Sequence, residues 1–195
     1  MVNRNIIEEI IFTGKVLYEE KLVNSHAGNI SVREGDYLYI TKTGKMLGFL
    51  KEEDIIKLPI YKETEEDKIA SSELIVHRAI YRNSDFNAII HAHPLYATTL
   101  TFFLDKEFTP IDNEGKLFIG SVPIIDVENA SGSLELADAL VNTIRKTGSE
   151  VYLVKKHGSF VCSKNLNYAL KLTSDLEFCG KIYYLVKIKD RLINL

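Results

Sequence analysis

Helical and strand patterns alternate along the whole chain, and this mixture constrains the fold more than any other feature. Apolar residues recur with helical spacing from residue 3 to about residue 23 and again over residues 134–145. Between these stretches lies a short Ile-rich run, Ala88–Ala92, which is bounded by polar residues and followed by Pro94. A run of this length and composition predicts a buried strand. The chain is therefore expected to combine helices and strands in one α/β fold.

A β-hairpin is predicted near the start of the chain, because residues 29–33 and Tyr37–Thr41 flank the turn sequence Glu34-Gly35-Asp36. Further helices are predicted from Ser71/Ser72 to Arg82, over residues 95–104, and from residue 165 to about residue 188. Further short β segments are predicted at residues 117–119, Val122–Ile125, Val151–Val154 and residues 159–162. The chain contains no βαβ unit with a Gly-rich phosphate fingerprint. We therefore expect a single domain, residues 1–195, in which much of the sheet is antiparallel.

Length, charge and cysteine content narrow the class of protein. A chain of 195 residues is long enough to build one domain with a sizeable core. The net charge is −3 with both signs interspersed, which argues against a nucleic-acid-binding surface. The N-terminal sequence MVNRNIIEEI is not a secretory signal, and no window approaches the roughly 18 apolar residues of a membrane span. We therefore expect a cytoplasmic protein in which Cys162 and Cys179 are buried thiols.

Three of the five histidines stand out by their context. His91 and His93 are alternate residues at the end of the predicted strand Ala88–Ala92, so their side chains point to the same face. His157 lies in a tight connection between two other predicted strands. Three imidazoles with an open fourth position are typical of a catalytic zinc site. A short His-x-His motif also occurs as a hydrogen-bonded pair at a strand end, so the pattern alone leaves both interpretations open.

Several polar segments allow two interpretations as well. Ser71-Ser72-Glu73 opens a predicted helix, where N–H groups, hydroxyls and the helix dipole favour a phosphate. In the simpler interpretation, Ser72 caps the helix and Glu73 complements its dipole. His77 lies on the same helical face as Glu73 and is expected to be buried and hydrogen-bonded rather than a ligand. Ala27-Gly28-Asn29 and Thr41-Lys42-Thr43-Gly44 are ordinary turn sequences whose N–H and hydroxyl groups can also cradle a phosphate.

Taken together and in order, these segments resemble the class II aldolase/adducin family, in particular its L-fuculose-1-phosphate aldolase branch. The matching blocks are Gly28-Asn29-Ile30-Ser31-Val32-Arg33, Ile40-Thr41-Lys42-Thr43-Gly44, Ser71-Ser72-Glu73, His91-Ala92-His93-Pro94 and His157-Gly158. The resemblance runs from about Ile6 to Val186 and implies a three-layer α/β/α domain around a mostly antiparallel central sheet. It also implies a homotetramer with active sites at the subunit interfaces.

The resemblance implies a role for each block. His91, His93 and His157 would bind zinc, or another divalent transition metal, and Glu73 would be the catalytic acid/base. The implied phosphate-binding positions are Gly28, Asn29, Thr43, Gly44, Ser71 and Ser72. The implied reaction is reversible cleavage of a ketose 1-phosphate, similar to L-fuculose 1-phosphate, into dihydroxyacetone phosphate and an aldehyde. Zinc would stabilise the enediolate as a Lewis acid, while Glu73 would move the proton.

Other members of the family are alternatives. The methylthioribulose-1-phosphate dehydratases share three histidines and a Glu, whereas the pentulose-phosphate 4-epimerases carry Asp at the position of Glu73. The adducin head domains are non-catalytic interaction modules and lack the full ligand set. This chain also departs from the pattern, because Lys42 stands where many relatives have Pro. Residues 111–115 lack the tyrosine that the fuculose-phosphate enzymes contribute from a neighbouring subunit. The candidates to replace it are Asp112, Glu114 and Tyr183.

Overall fold

The computed structural model describes residues 3–188. The strands are β1 (Asn29–Glu34), β2 (Tyr37–Thr41), β3 (Ile55–Pro59), β4 (Ala88–Ala92), β5 (Glu107–Phe108), β6 (Val122–Ile125), β7 (Val151–Val154) and β8 (Gly158–Ser163). The α-helices are α1 (Arg4–Glu19), α2 (Leu74–Arg82), α3 (Leu95–Leu100), α4 (Leu134–Thr147) and α5 (Leu166–Tyr183). Short 3₁₀ turns and two π-helical segments, Gly115–Ile119 and Tyr184–Ile188, join or extend these elements. The expected domain of 1–195 extends beyond the described residues at both ends.

The strands form an eight-stranded sheet in the order β3-β2-β1-β4-β8-β7-β6-β5. Only β6 and β7 run parallel among the described pairs, and all the other neighbouring pairs are antiparallel. The strand β4 therefore lies at the centre of the sheet, between β1 and β8. Its register places His91 opposite Asn29 of β1 on one side and opposite Phe160 of β8 on the other. This pairing fixes the first of the candidate histidines at the centre of the sheet.

Helices cover both faces of the sheet. Ile89 and Ile90 are adjacent in β4, yet they belong to different hydrophobic clusters, because successive side chains of a strand point to opposite faces. Leu17 of α1 and Leu176 of α5 pack in the cluster of Ile90. The helices α2 and α4 cover the other face, in the cluster of Ile89. The expected three-layer α/β/α architecture around a mostly antiparallel sheet is confirmed.

The helix α2 begins at Leu74 rather than at Ser71/Ser72, so the sequence-based start was wrong. The reason lies in the backbone before it. The N–H of Ser71 donates to the carbonyl of Thr41 (3.0 Å), and Ala70 pairs with Lys42 in an antiparallel bridge. These bonds hold residues 70–71 in extended geometry beside β2. A helix can form only after the chain has turned away from that strand.

The predicted β segment at residues 117–119 was also wrong, because this stretch forms the π-helical segment Gly115–Ile119. Asp112 starts the helical turn, since its side chain accepts from the N–H of Gly115 (2.8 Å) and its carbonyl accepts from the N–H of Lys116 (3.1 Å). Short apolar runs do not distinguish helix from strand by periodicity. The hairpin of β1 and β2 is confirmed, and β6 and β7 have the predicted bounds.

Both cysteines are buried free thiols, as predicted. Burial raises the pKa of the Cys179 thiol to about 12, so this side chain stays protonated at neutral pH. Within residues 3–188, no helix combines the length and the apolar character that crossing a bilayer requires.

Candidate functional site

Three imidazoles converge beside the centre of the sheet. His91 is in β4, His93 follows directly after that strand, and His157 lies in the turn between β7 and β8. One ring nitrogen from each of the three lies within 4.8 Å of the others. The Nε2 atoms of His91 and His93 are 3.0 Å apart. The alternation of side chains along the end of β4 thus brings the His-x-His pair together, and the antiparallel pairing of β4 with β8 brings His157 to it.

The orientation of His91 is set by its neighbours in β8. Its Nδ1 lies 2.9 Å from the carbonyl oxygen of Ser159, which can only accept, so Nδ1 carries the proton and Nε2 presents a lone pair. The ring stacks on Phe160 with centroids 4.3 Å apart. A metal-binding histidine commonly donates its second N–H to a carbonyl in this way, which fixes both the tautomer and the ring orientation.

The surroundings keep all three imidazoles neutral. Burial lowers the pKa of His91 well below its usual range, and the nearby His93 and His157 lower it further. Burial lowers the pKa of His93 to about 4 and also lowers that of His157, against the opposing effect of the Ala130 carbonyl. Neutral imidazole is the form that binds metal ions.

The His91–His93 pair has the spacing of two zinc ligands, and His157 brings a third ring nitrogen to within 4.8 Å of both. Two nitrogens bonded to zinc at about 2.0–2.1 Å with tetrahedral angles lie roughly 3.3 Å apart. The 3.0 Å separation of the Nε2 atoms of His91 and His93 is close to this value. Three neutral nitrogen donors leave a fourth position open, as in catalytic zinc sites.

The short helix α3 supports two of the three histidine segments. Its N-terminal N–H groups, from Tyr96 and Ala97, each donate at 3.0 Å to the carboxylate of Glu177 on α5. The buried Thr101, just after α3, accepts from the N–H of Lys156 at 2.9 Å through its Oγ1. Lys156 has a φ of 60°, a left-handed conformation that is uncommon for a residue with a side chain. Thr101, at the C-terminal end of α3, therefore holds the turn that presents His157, and the N-terminal end of α3 directly follows His93 and Pro94.

Glu73 lies in the turn before α2 and is only 2% exposed. Its Oε1 accepts from the hydroxyl of Ser131 (3.1 Å) and from the backbone N–H of Gly132 (2.9 Å). Its Oε2 is buried and has no hydrogen-bond partner among the described residues. Burial raises the pKa of Glu73, and the hydrogen bonds from Gly132 and Ser131 partly oppose this shift. The result is a carboxylate with one fixed oxygen and one unengaged oxygen.

The residues that the family resemblance implies as metal-binding, acid/base or phosphate-binding all line one cleft, with a volume of about 170 Å³. These are Gly28, Asn29, Thr43, Gly44, Ser71, Ser72, Glu73, His91, His93 and His157. Gly28 has a φ of +82°, and a Cβ atom there would approach the His91 carbonyl oxygen to 2.7 Å, so only glycine fits this close contact. Asn29 Oδ1 is buried and has no partner among the described residues. The cleft thus joins the histidines, a carboxylate and a set of polar loops.

Sequence reasoning did not assign a role to four residues that also line the cleft: His26, Lys42, Lys45 and Ser131. Lys45 forms an ion pair with Asp54 (2.8 Å), which raises the pKa of its ammonium group. Lys42 flanks Thr43 and Gly44 and adds positive charge to that end of the cleft. The charge of these lysines was a usable signal, whereas Ser131 carried none, because its partner Glu73 is 58 residues away in the chain.

His77 is not part of the histidine group. It is fully buried, and its Nδ1 lies 2.6 Å from the hydroxyl of Ser31, which also contacts the hydroxyl of Tyr81 at 2.7 Å. Burial lowers the pKa of His77 to about 3, so it is neutral. The prediction of a buried, hydrogen-bonded histidine is confirmed.

The sequence of this chain was compared with protein families and with known proteins. Residues 8–184 match the family described as Class II Aldolase and Adducin N-terminal domain. An L-fuculose phosphate aldolase from Methanocaldococcus jannaschii is 40% identical over 151 residues, which span 77% of this chain and 80% of that protein. A 5-deoxy-D-ribulose 1-phosphate aldolase from Bacillus thuringiensis is 31% identical over 184 residues, which span 92% and 84%.

Solved structures agree with the sequence matches. The crystal structure of L-fuculose-1-phosphate aldolase from Thermus thermophilus superposes with a TM-score of 0.89 at 28% sequence identity. The match covers 96% of this chain and 97% of that chain. The two chains therefore share their fold over nearly their full lengths.

Proposed function

Because this chain belongs to the class II aldolase and adducin family, we propose that it is a zinc-dependent aldolase acting on a ketose 1-phosphate. The substrate is similar to L-fuculose 1-phosphate, and the products are dihydroxyacetone phosphate and an aldehyde. The names of the similar proteins, which are aldolases of L-fuculose phosphate and of 5-deoxy-D-ribulose 1-phosphate, support this substrate class. The observation that carries the proposal is the convergence of three neutral imidazoles and a buried carboxylate in one polar cleft.

In this proposal His91, His93 and His157 hold zinc, or another divalent transition metal, through their ring nitrogens. The neutral state of the imidazoles and the 3.0 Å separation of the Nε2 atoms of His91 and His93 support the assignment. When bound, zinc supplies a Lewis acid that polarises the carbonyl and stabilises the negative charge that develops on the sugar oxygens.

Glu73 is the acid/base of the proposed reaction and acts through Oε2. Cleavage requires a proton to leave a substrate hydroxyl and a proton to be delivered to carbon on the dihydroxyacetone phosphate side. A carboxylate whose pKa is raised by burial is a suitable group for both steps, because it accepts and returns a proton closer to neutral pH than an exposed carboxylate does. The lack of a partner for Oε2 among the described residues supports its role as the reacting oxygen.

The other end of the cleft binds the phosphate in this proposal. Gly28, Asn29, Thr43, Gly44, Ser71 and Ser72 supply backbone N–H, amide and hydroxyl groups there. Lys42 and Lys45 line the same cleft; the charge of Lys45 is partly offset by its ion pair with Asp54, and Lys42 adds positive charge that favours a dianion. Holding the phosphate orients the reacting carbons towards the histidines and Glu73, which converts binding energy into positioning.

The proposal includes a homotetramer with subunit contacts near the cleft. Several large apolar side chains on α3 and α5 are exposed in the single chain, including Leu95 (67%) and Phe178 (59%), which supports a contact surface there. Asp112 stays a candidate to replace the missing tyrosine: its Oδ2 accepts from the N–H of Gly115 (2.8 Å) and contacts the Cys179 thiol (3.5 Å), and its Oδ1 has no hydrogen-bond partner among the described residues.

A cleavage assay tests the proposed function. The purified protein, supplied with zinc, is incubated with L-fuculose 1-phosphate, 5-deoxyribulose 1-phosphate and related ketose 1-phosphates, and dihydroxyacetone phosphate is detected with a coupled enzyme. Release that requires zinc and stops with a chelator supports the aldolase. No release from any sugar, with zinc bound stoichiometrically, contradicts it.

The same samples separate the alternatives. A methylthioribulose-1-phosphate dehydratase would release water from its substrate without forming dihydroxyacetone phosphate. A pentulose-phosphate 4-epimerase would interconvert two pentulose phosphates. A non-catalytic adducin-like module would purify without metal and gain no thermal stability from added zinc.

A further inference from the structure

We propose that Ser131 is a positioning residue that holds Glu73 by one carboxylate oxygen and leaves the other oxygen as the only atom for proton transfer. This inference rests on the proposed function, because it concerns the acid/base of that reaction. It starts from the asymmetry of the Glu73 contacts. Oε1 accepts from Ser131 Oγ at 3.1 Å and from the Gly132 N–H at 2.9 Å, whereas Oε2 has no partner among the described residues.

The loop that carries these donors is built to stay in place. The carboxylate of Glu135, in the first turn of α4, accepts from the N–H groups of Glu128 and Asn129 at 3.0 Å each. Ser133 caps α4 by accepting from the N–H of Leu136 at 3.0 Å. Both ends of the loop segment 128–133 are thus attached to the N-terminus of α4. The two donors to Glu73 therefore stand on a closed loop that α4 anchors.

Gly132 brings this loop into direct contact with the Ser71–Glu73 turn. Its φ is +55°, and a Cβ atom there would lie 2.7 Å from the carbonyl oxygen of Ser72. The backbone of Gly132 can donate to Glu73 only because it packs this closely. The backbone N–H of Gly132 and the side-chain hydroxyl of Ser131 then donate to the same oxygen, Oε1 of Glu73, and together they fix the orientation of the carboxylate.

This arrangement has a chemical consequence. A carboxylate with free rotation of its terminal torsion presents two equivalent oxygens, and that torsion is broad and roughly two-fold. Two donors on Oε1 remove this freedom and hold Oε2 in one position. Without the Ser131 hydroxyl, Glu73 would keep only the Gly132 N–H and would sample other orientations. The residue thus acts on the reaction through Glu73 and needs no contact with the substrate.

The test compares Ser131→Ala with Ser131→Thr and with a matched control. We expect Ser131→Ala to lower kcat by about 10- to 100-fold, the effect of losing one hydrogen bond to a charged group, with KM and zinc content unchanged. The acidic limb of the kcat–pH profile should move to higher pH, because a donor that favours the ionised form is lost. Ser131→Thr keeps the hydroxyl and should restore both values.

The control is Ser121→Ala, which removes another serine-to-glutamate hydrogen bond, from Ser121 to Glu107 (2.8 Å), on an exposed surface outside the cleft. It should leave kcat and its pH profile unchanged. A Ser131→Ala enzyme with wild-type kcat and pH profile overturns the proposal. The proposal is also overturned if Ser131→Ala loses kcat with an unchanged pH profile and Ser131→Thr does not restore the kcat. A merely structural role of Ser131 would produce that result.

A second measurement separates this proposal from the proposed function. A carbon-13 NMR titration of the Glu73 carboxyl in metal-free protein needs no turnover. We expect a higher pKa for Glu73 in Ser131→Ala than in the wild type. If the wild type cleaves no sugar but this difference appears, the proposed function fails and the positioning of Glu73 stands. If the two titration curves coincide, the positioning fails whatever the activity.

Discussion

Replacing Glu73 by Gln should remove most of the turnover without weakening the fold, and the contacts of Glu73 explain why. The Gln carbonyl oxygen can take the place of Oε1 and keep the hydrogen bonds from Ser131 and Gly132. The amide group then takes the place of Oε2, which has no partner among the described residues. The substitution removes the acid/base but retains the anchored half of the side chain.

The expected loss of kcat is about 10²- to 10⁴-fold, the usual contribution of a general acid–base. At about 1.36 kcal/mol for each factor of ten, this corresponds to roughly 2.7–5.4 kcal/mol of transition-state stabilisation. Zinc content should not change, because the three histidines remain.

In contrast to kcat, the free energy of unfolding should not fall in Glu73→Gln. Burial raises the pKa of Glu73 above its ordinary value of 4.5, so the ionised side chain costs stability at any pH above the folded-state pKa. That cost disappears below the unfolded-state pKa, where the carboxyl is protonated in both states. Metal-free Glu73→Gln should therefore be at least as stable as the wild type at pH 8. Its advantage should shrink as the pH falls towards 4.5.

Glu177→Gln provides a control that, unlike Glu73→Gln, should lose stability. Glu177 is also a shielded carboxyl with a raised pKa, but both of its oxygens are engaged, by the N–H groups of Tyr96 and Ala97. An amide can accept only one of these and leaves the other donor unpaired, at a cost of about 1–3 kcal/mol. For a chain of this size the melting temperature should fall by roughly 2–12 °C.

The assays are steady-state cleavage kinetics and urea unfolding at pH 8 and pH 4.5. Wild-type turnover in Glu73→Gln would refute its role as the base. A loss of stability as large as that of Glu177→Gln would refute the description of Oε2 as an unengaged oxygen.

Two further substitutions test the histidine group. Zinc at a thousandfold excess over its dissociation constant should stabilise the wild type by about 4 kcal/mol and raise its melting temperature. His93→Ala should abolish this rise, whereas His26→Ala, at the exposed rim of the cleft, should retain it. Full zinc occupancy in His93→Ala, measured by metal analysis, would contradict the assignment. Thr101→Val removes the buried acceptor for the N–H of Lys156, so the turn that bears His157 loses its anchor. The zinc dissociation constant should rise by about tenfold, the smallest effect usual for residues that support a metal ligand. Unchanged zinc affinity in a chelator competition would show that the turn needs no such support.

Local patterns were sufficient for much of the fold. The run Ala88–Ala92 predicts β4 with its observed bounds, and the turn after Glu34 predicts the hairpin. Where long-range pairing decides the structure, local reasoning failed. The strand β3 was missed, and the start of α2 was misplaced because the N–H of Ser71 bonds to Thr41, thirty residues earlier in the chain.

In the candidate site, too, local patterns predicted some residues and missed those that depend on long-range contacts. His91 and His93 follow from strand alternation, and the tight connection between two predicted strands singled out His157, whereas joining the histidines to the polar loops depended on family resemblance. The structure brings all of these residues to one cleft. Ser131 and Gly132 could not be found from the sequence, because a serine–glycine pair in a loop is ordinary turn chemistry and its partner Glu73 lies on another element.

The histidines and the polar residues of the cleft are attached to different parts of the fold. The histidines are held by the central strands β4 and β8 and by the short helix α3, whereas Thr43, Ser71 and Ser131 lie on connections outside those strands. The connection around residue 43 carries neither a histidine of the group nor Glu73 or its donors, whereas those around residues 71 and 131 carry Glu73 and its donors. An engineer who wished to change what this cleft accepts could therefore vary the connection around residue 43 first and leave the three histidines and the acid/base turn untouched.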